Sequence, residues 1–573
     1  MKLINRLFAV ILVSAGLTIT SCEFTELDLL DNPNDPTPDQ AELEFLYNNI
    51  QLSFNGFYQG TLTAGRYARI SHMGDFTYNA SAPSTLGNGL WSSFYAGLFP
   101  DIQALIEIAD AAGADIEKGS AKIMQAYAMF TLADLFGDIP FTEAGQGTDI
   151  ISPASDPAES IYTTAIALLD EAIGDLTDTQ AGAPTTEIFY DGDPTKWITL
   201  ANTLKLRAYA NTRLTDPNAA SQINAIVSAG DIIDNASEDF TFKYGSQRLN
   251  PNSRHPWYNN AYEQNDAAYI PNYYMWLMVG EKGIPDPRTR FYFYRQISNS
   301  LNQEPNAYSC LYNEGPPDPA FYPAHYAAVD PNLPYCVAAD NGYYGRDHGN
   351  GQGIPPDGPL RTVYGLYPAG GQFDNSSFEF TQNMGTDGAL GQGISPVWLS
   401  SYTHFVLAEA ALLGGASGDA KALLIEGITQ SIAKARSFES FLNPNEVVGI
   451  EPGTNREITL KEQFLDPLAD ETTDYLDLID INWDTAPDDD ARMDIIAKEY
   501  LLALWGNGIE AYNMYRRTAK PANIQPTLDP SSGNFIQTFL YPADHVNRNA
   551  SITQKSTDEL PFWSNLDPSQ FNR

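Results

Sequence analysis

Two apolar stripes, each with its own start signal, constrain this chain more than any other feature. After Asp156-Pro157, the residues Ile161, Tyr162, Ala165, Leu168, Leu169, Ala172, Ile173 and Leu176 recur at helical spacing and share one face. Asp156 and Glu159 bracket Pro157 in a capping-box arrangement, which sets the helix start there. A companion stripe opens at Asp193-Pro194 and carries Trp197, Leu200, Ala201, Leu204, Ala208 and Tyr209. Each helix runs for about five turns. Neither can bury its stripe alone, so the two are expected to pair as a helical hairpin.

Similar patterns continue along the chain. Leu43, Leu46, Tyr47, Ile50 and Phe54 keep helical spacing up to Gly56 and Gly60, and a second helix is expected over Trp91 to Ala112. Ser120 to Phe136 is apolar nearly all round, as a fully buried helix requires. Helical pattern resumes over Pro396 to Leu413, Gly418 to Ser437 and Ala491 to Arg517. The last is led by Asp488-Asp489-Asp490, which favours a helix start. From Leu249 to Pro396, Pro, Gly, Asn and Tyr dominate, and only Tyr273 to Val279 suggests a short helix. Irregular stretches of that length carry function or are disordered, and the aromatic density here argues against disorder. The expected fold is mostly α, with tetratricopeptide-like helix pairs, although the repeat consensus is not matched. It divides into a helical part at 41–248, an irregular insertion at 249–396 and a helical part at 397–573 within the same globular unit.

The N-terminal end says where such a chain works. Lys2 and Arg6 precede the apolar run Leu7 to Val13, the layout of a secretory signal peptide that is too short to anchor in a bilayer. Leu17-Thr18-Ile19-Thr20-Ser21-Cys22 resembles a bacterial lipobox, with residues 1–21 removed and the acylated Cys22 anchoring the chain in outer-membrane lipid. Several acyl chains hold a protein where one does not. Residues 22–40 are acidic and rich in Pro and Asn, and read as a tether. Cys310 and Cys336 remain as a candidate disulfide, permitted outside the cytoplasm, with two buried thiols as the alternative. The formal net charge of −40 opposes nucleic-acid phosphates, so no nucleic-acid partner is expected.

Motifs for catalysis are missing. There is no zinc-protease motif, Walker loop or Gly-x-Ser-x-Gly elbow, and no cofactor or metal is implied. Asp191-Gly192-Asp193 and Asp488 to Asp490 could hold a hard cation, but helix capping explains both. What remains is aromatic chemistry. Trp257, Tyr258, Tyr262, Tyr269, Tyr273, Tyr274 and Trp276 crowd one window, amid Asn, Asp and Arg. A sugar presents an apolar C–H face to an aromatic plane and hydroxyls to such polar groups. The expected ligand-binding residues are Asp75, Tyr78 and Trp91 from an early loop, with Trp257, Tyr258, Tyr273 and Trp276 from the insertion.

Three stretches carry a family resemblance. Ala126-Tyr127-Ala128-Met129-Phe130-Thr131-Leu132-Ala133-Asp134-Leu135-Phe136-Gly137-Asp138-Ile139-Pro140, then Leu204-Lys205-Leu206-Arg207, then Ile509 to Thr518 with Tyr541-Pro542, resemble the SusD/RagB family of outer-membrane nutrient-binding lipoproteins. The resemblance implies a right-handed scaffold of tetratricopeptide-like helix pairs with irregular loops forming the ligand face. It implies a surface-exposed binding protein, not an enzyme, that delivers a glycan to a SusC-like TonB-dependent transporter. Peptide or another nutrient in the same role, or a non-binding adaptor of the transporter, are the alternatives. The matching motifs belong to the scaffold, so no ligand residue transfers by match.

Overall fold

The apolar stripes become a succession of packed helices. The computed structural model describes residues 43–571 apart from 178, 265, 267, 299–321, 337–340 and 352–360. Cys22, Cys310 and the tether therefore lie outside the described residues. Leu43–Thr61 leads, burying Tyr47, Ile50, Phe54 and Tyr58 on one face. Asn88–Ser93 passes through a π-turn at Phe94–Leu98 into Phe99–Ala112, so the expected second helix forms with a widened turn inside it. Asp115–Phe136, Ala158–Leu176, Pro194–Thr212 and Ala219–Ala229 follow, each packed on the helix before it. This is the pairing the stripes require.

The C-terminal part repeats the arrangement. Ser400–Leu413 packs on Ala420–Arg436, which in turn meets Leu468–Thr485, and Asp489–Ala503 closes against Ser400–Leu413. Leu468–Thr485 escaped the sequence pattern because its acidic face outnumbers its buried Leu468, Tyr475, Ile479 and Trp483. The helix expected over Ala491 to Arg517 is two helices, Asp489–Ala503 and Gly508–Thr518. Gly506 turns the chain at φ +99°, a conformation open to glycine and costly for other residues. Asn507 then restarts the helix by accepting the Glu510 N–H at 3.2 Å. Gly508–Thr518 packs against the short turn Leu62–Arg66, bringing distant parts of the chain together.

Strands are few and two-stranded. Phe240–Lys243 pairs antiparallel with Ile394–Trp398, with Phe240 opposite Trp398, and so ties the two borders of the insertion. Pro396 lies in this strand, and the helix starts only at Ser400. Phe293–Tyr294 pairs with Val363–Tyr364 inside the insertion, and Val447–Ile450 with Glu457–Thr459. Within the insertion Asn272–Val279 is a helix, as expected, joined by short helices at Pro256–Tyr262, Thr289–Tyr292 and Ala324–Val329. One apolar core takes side chains from Leu46 to Phe571 and from both helical parts.

Polar groups tie these layers at their centre. The Asp134 carboxylate accepts from Arg207 Nη2 at 2.8 Å, Asn513 Nδ2 at 2.8 Å, Trp563 Nε1 at 3.0 Å and the Tyr162 hydroxyl. Arg207 Nε reaches Glu510 at 2.6 Å. Beside them Arg517 donates twice to Glu409, at 2.8 and 2.9 Å. The acids expected as caps behave unevenly. Asp193 accepts the Thr195 N–H and Asp488 the Ala491 N–H, each at 2.9 Å. Asp156 does not cap its helix: it accepts the Phe141 and Thr142 amides, and Asp138 takes the Ala158 N–H at 2.8 Å. Asp138 wins because the turn after Asp115–Phe136 brings it onto the helix end, and Ile139 pairs with Asp156 beside it.

Candidate functional site

Four remote segments are laced together beside the helical scaffold. Arg346 N donates to Ile270 O at 3.1 Å and Asn272 N to Arg346 O at 2.8 Å, a short parallel pairing. Gly349 N reaches Met73 O at 2.9 Å, and Leu528 N reaches His348 O at 2.8 Å. Tyr78 N donates to Ser532 O at 2.9 Å. The lacing is tight enough to demand glycine. A Cβ at Gly345 would lie 1.9 Å from Ile270 O, and one at Gly351 would lie 2.2 Å from Gly74 O.

Below this lacing is a polar floor. The buried Asp347 carboxylate accepts from Asn272 Nδ2 at 3.0 Å, Gln525 Nε2 at 3.1 Å and Cys336 N at 2.8 Å. Its burial raises its pKa, and those three donors oppose the rise. Arg69, with no exposed surface, donates to Gln525 O at 2.9 Å and to the Tyr78 hydroxyl at 3.0 Å. Burial first, and then the Arg69 charge, keep His348 neutral well below its ordinary pKa. The floor thus fixes the loops with directed bonds, whatever lies above.

Above it sits a cluster of ring and guanidinium groups. The Tyr269 ring carries the Arg346 guanidinium carbon at 4.1 Å and that of Arg361 at 4.4 Å. The His72 ring approaches Tyr269 edge-on, with centroids 6.1 Å apart. Burial, reinforced by the Arg346 charge, pulls the His72 pKa down to about 4, so the imidazole is neutral at physiological pH. Phe76 stands beside Gly351 with 40% of its surface exposed, and Asp75 is exposed at its shoulder. Guanidinium and imidazole N–H groups next to an open aromatic face suit a ligand carrying both oxygens and C–H surface.

The residues expected from sequence are placed unevenly. Tyr78, Tyr258 and Tyr273 have no exposed surface, Trp276 has 7% and Trp91 has 8%. A ring whose faces are covered by protein cannot stack on a sugar, so these five are packing residues in this structure. Tyr78 belongs to the polar floor. Trp91 packs among Tyr95, Phe136 and His545, at centroid distances of 4.8, 5.2 and 4.6 Å. Tyr258 stacks on Tyr262 at 4.8 Å and donates to Asp387 O. Tyr273 and Trp276 belong to a helix buried on nearly every side, which a run as apolar as Asn272–Val279 dictates. Trp257 is half-buried, with one face stacked on Tyr364 at 4.3 Å. Only Asp75 shares the site with the cluster. His72, Phe76, Arg346 and Arg361 gave no local signal in sequence, and Tyr269 did not stand out from the other rings of the aromatic window. Their one hint was two arginines in a stretch of a chain with few bases.

Cys336 is disulfide-bonded, while Cys310 lies outside the described residues. Among the described residues no cluster of three or more His, Cys, Asp or Glu could hold a metal, and no helix is long and apolar enough to cross a membrane.

Two family models match the chain. One, SusD-like and described as starch-binding associating with outer membrane, covers residues 40–322. The other, described as SusD and RagB outer membrane lipoprotein, covers residues 374–561. No curated protein matches. Among solved structures, a SusD/RagB family protein from Bacteroides thetaiotaomicron is 18% identical, with TM-score 0.62 over 89% of this chain and 95% of that one. A SusD homologue from Bacteroides fragilis, also 18% identical, gives TM-score 0.62 over 93% and 100%. A chitin-binding SusD homologue from Flavobacterium johnsoniae is 17% identical, with TM-score 0.57 over 91% and 98%.

Proposed function

The chain belongs to the SusD/RagB family of outer-membrane lipoproteins, and from that premise we propose that it captures a glycan at the cell surface and passes it to a SusC-like TonB-dependent transporter. In this reading Cys22 carries the acyl chains and the tether lets the body move over the transporter as a lid. The protein binds and releases its ligand without chemical change. One observation carries the site assignment: the Arg361 guanidinium stacked on the Tyr269 ring that the neutral His72 meets edge-on, with the exposed Phe76 ring beside Gly351 on the same laced loops. A chitin-binding structural neighbour supports a saccharide over a peptide.

Single-site affinity of this kind falls at about micromolar to millimolar, or roughly −8 to −4 kcal/mol. Calorimetry of the full mature chain against glycan and peptide panels tests the reading. Heat with a glycan that falls several-fold in Phe76→Ala supports it. Heat with peptides alone moves the ligand class, and no heat with any ligand leaves the adaptor role. Co-purification of a TonB-dependent transporter from detergent-solubilised outer membranes tests the partner.

A further inference from the structure

We propose that the surface around Tyr269 recognises an acidic saccharide, whose carboxylate or sulfate oxygens are held by Arg361. The inference rests on the glycan-capture reading and narrows its substrate class. The chain has 72 acidic residues against 32 basic ones, so carboxylates are plentiful for any arginine that needs one. Buried and half-buried arginines elsewhere take them: Arg288 with Asp286, Arg295 with Asp374, Arg517 with Glu409, Arg254 with Glu263. Arg361 and Arg66 are also half-buried, yet neither lies within 4 Å of a carboxylate among the described residues.

Two acids of the described residues lie on these loops. Asp347 is fully buried and its oxygens are engaged by Asn272, Gln525 and Cys336. Asp75 is exposed at the rim. Arg69, the remaining cation of the floor, is spent on two carbonyls and the Tyr78 hydroxyl. Arg66, Arg69 and Arg361 thus bring positive charge to this face, as their effect on the neighbouring imidazoles of His72 and His348 and the Tyr269 stacking show.

The geometry of Arg361 fits an incoming anion. A guanidinium lying over an aromatic ring keeps its N–H groups in its own plane, and these are not consumed by the ring. Stacking holds the fork in one orientation, and a planar fork is matched by two oxygens of a carboxylate or sulfate. A second independent feature points the same way. His72 Nε2 and Arg66 Nε are buried and make no hydrogen bond among the described residues, so polar capacity is left over on this face. A protein of net charge −40 repels polyanions at long range, so retention of one reports a local site rather than a diffuse field.

The test is affinity electrophoresis of the full mature chain in gels containing polygalacturonate (carboxylate arm), dextran sulfate (sulfate arm) or neutral pullulan, xyloglucan and soluble chitin oligosaccharide. The expected result is retardation by one or both anionic polymers, weakened at least tenfold in Arg361→Gln and partly restored in Arg361→Lys. Added salt should weaken the wild-type interaction, a readout that needs no variant. The arm that responds names the anion. Retardation by neutral glycans alone overturns this inference and leaves glycan capture standing. Retardation by none of the polymers, with no heat from the glycan panel, overturns both. Loss of neutral and anionic binding together in Arg361→Gln, or salt-insensitive anionic binding, shows a merely structural arginine and also overturns it.

Discussion

Asp134 is the residue whose loss should cost this fold most. Its carboxylate has no exposed surface and faces donors from four separate segments: Tyr162, Arg207, Asn513 and Trp563. In Asp134→Ala, Arg207 keeps Glu510 at 2.6 Å, so the charge is not wholly orphaned. The indole N–H, the Asn513 amide and the Tyr162 hydroxyl lose their common acceptor in a site closed to water. Removing one member of a buried ion pair costs about 3–5 kcal/mol, and each stranded buried donor adds about 1–3 kcal/mol when nothing replaces its partner. The substitution should therefore cost at least about 4 kcal/mol. Asp134→Asn keeps the shape and one acceptor oxygen, and should cost less. Urea unfolding followed by tryptophan fluorescence and far-UV circular dichroism measures both. A double-mutant cycle with Arg207→Met should show coupling of about 1 kcal/mol or more, because the pair is in direct contact at 2.8 Å. A cost below about 1 kcal/mol, or full additivity in the cycle, would refute the view that this carboxylate ties the layers.

Two further outcomes follow from burial. Lys555 Nζ donates to Phe136 O at 2.7 Å, with no carboxylate within 4 Å among the described residues, and burial pulls its pKa down to about 8. Its folded pKa lies below its unfolded value, so the penalty for the charged form is full below pH 8 and gone above the unfolded pKa. Wild-type stability should gain up to about 3 kcal/mol relative to Lys555→Met as pH rises through that window, read as the difference in their Tm-against-pH curves; parallel curves would count against it. Trp276→Ala should destabilise by about 3–5 kcal/mol as a core truncation, whereas Phe76→Ala, on an exposed ring, should stay within about 0.5 kcal/mol. Equal effects on unfolding would erase the distinction between the packing rings and the exposed one.

The scaffold was legible because its signals are local. The stripe from Ile161 to Leu176 is a period within one element, and Ala158–Leu176 forms where it predicts. The failures occur where one element must be judged against another. Ala491 to Arg517 has an unbroken helical pattern, yet the φ of Gly506 and the cap of Asn507 divide it, and both respond to packing from other segments. The aromatic window misled for a related reason. Density of Tyr and Trp is the same whether rings face outward or pack on one another, and here Tyr258 meets Tyr262 and Tyr274 meets Trp505 at 4.9 Å. His72, Tyr269 and Arg361 are distant in the chain and become neighbours only through the lacing of residues 345–351.

The motifs that reveal the family and the residues proposed to face a ligand are therefore different sets, for a physical reason. Asp134, Arg207, Glu510 and Asn513 sit in the recognisable stretches because one buried charge network needs all of them at once. A substitution at any one strands the others, so these stretches resist change. Arg361 and Phe76 belong to no such network among the described residues, and their exchange is expected to cost the fold little. Neighbours only 17–18% identical keep the same scaffold. Arg69 lies at the boundary between the two regimes: it is as buried as Asp134, but its bonds run to Tyr78 and Gln525 beneath the site. Ligand choice can change above that floor only as far as Arg69 continues to hold it.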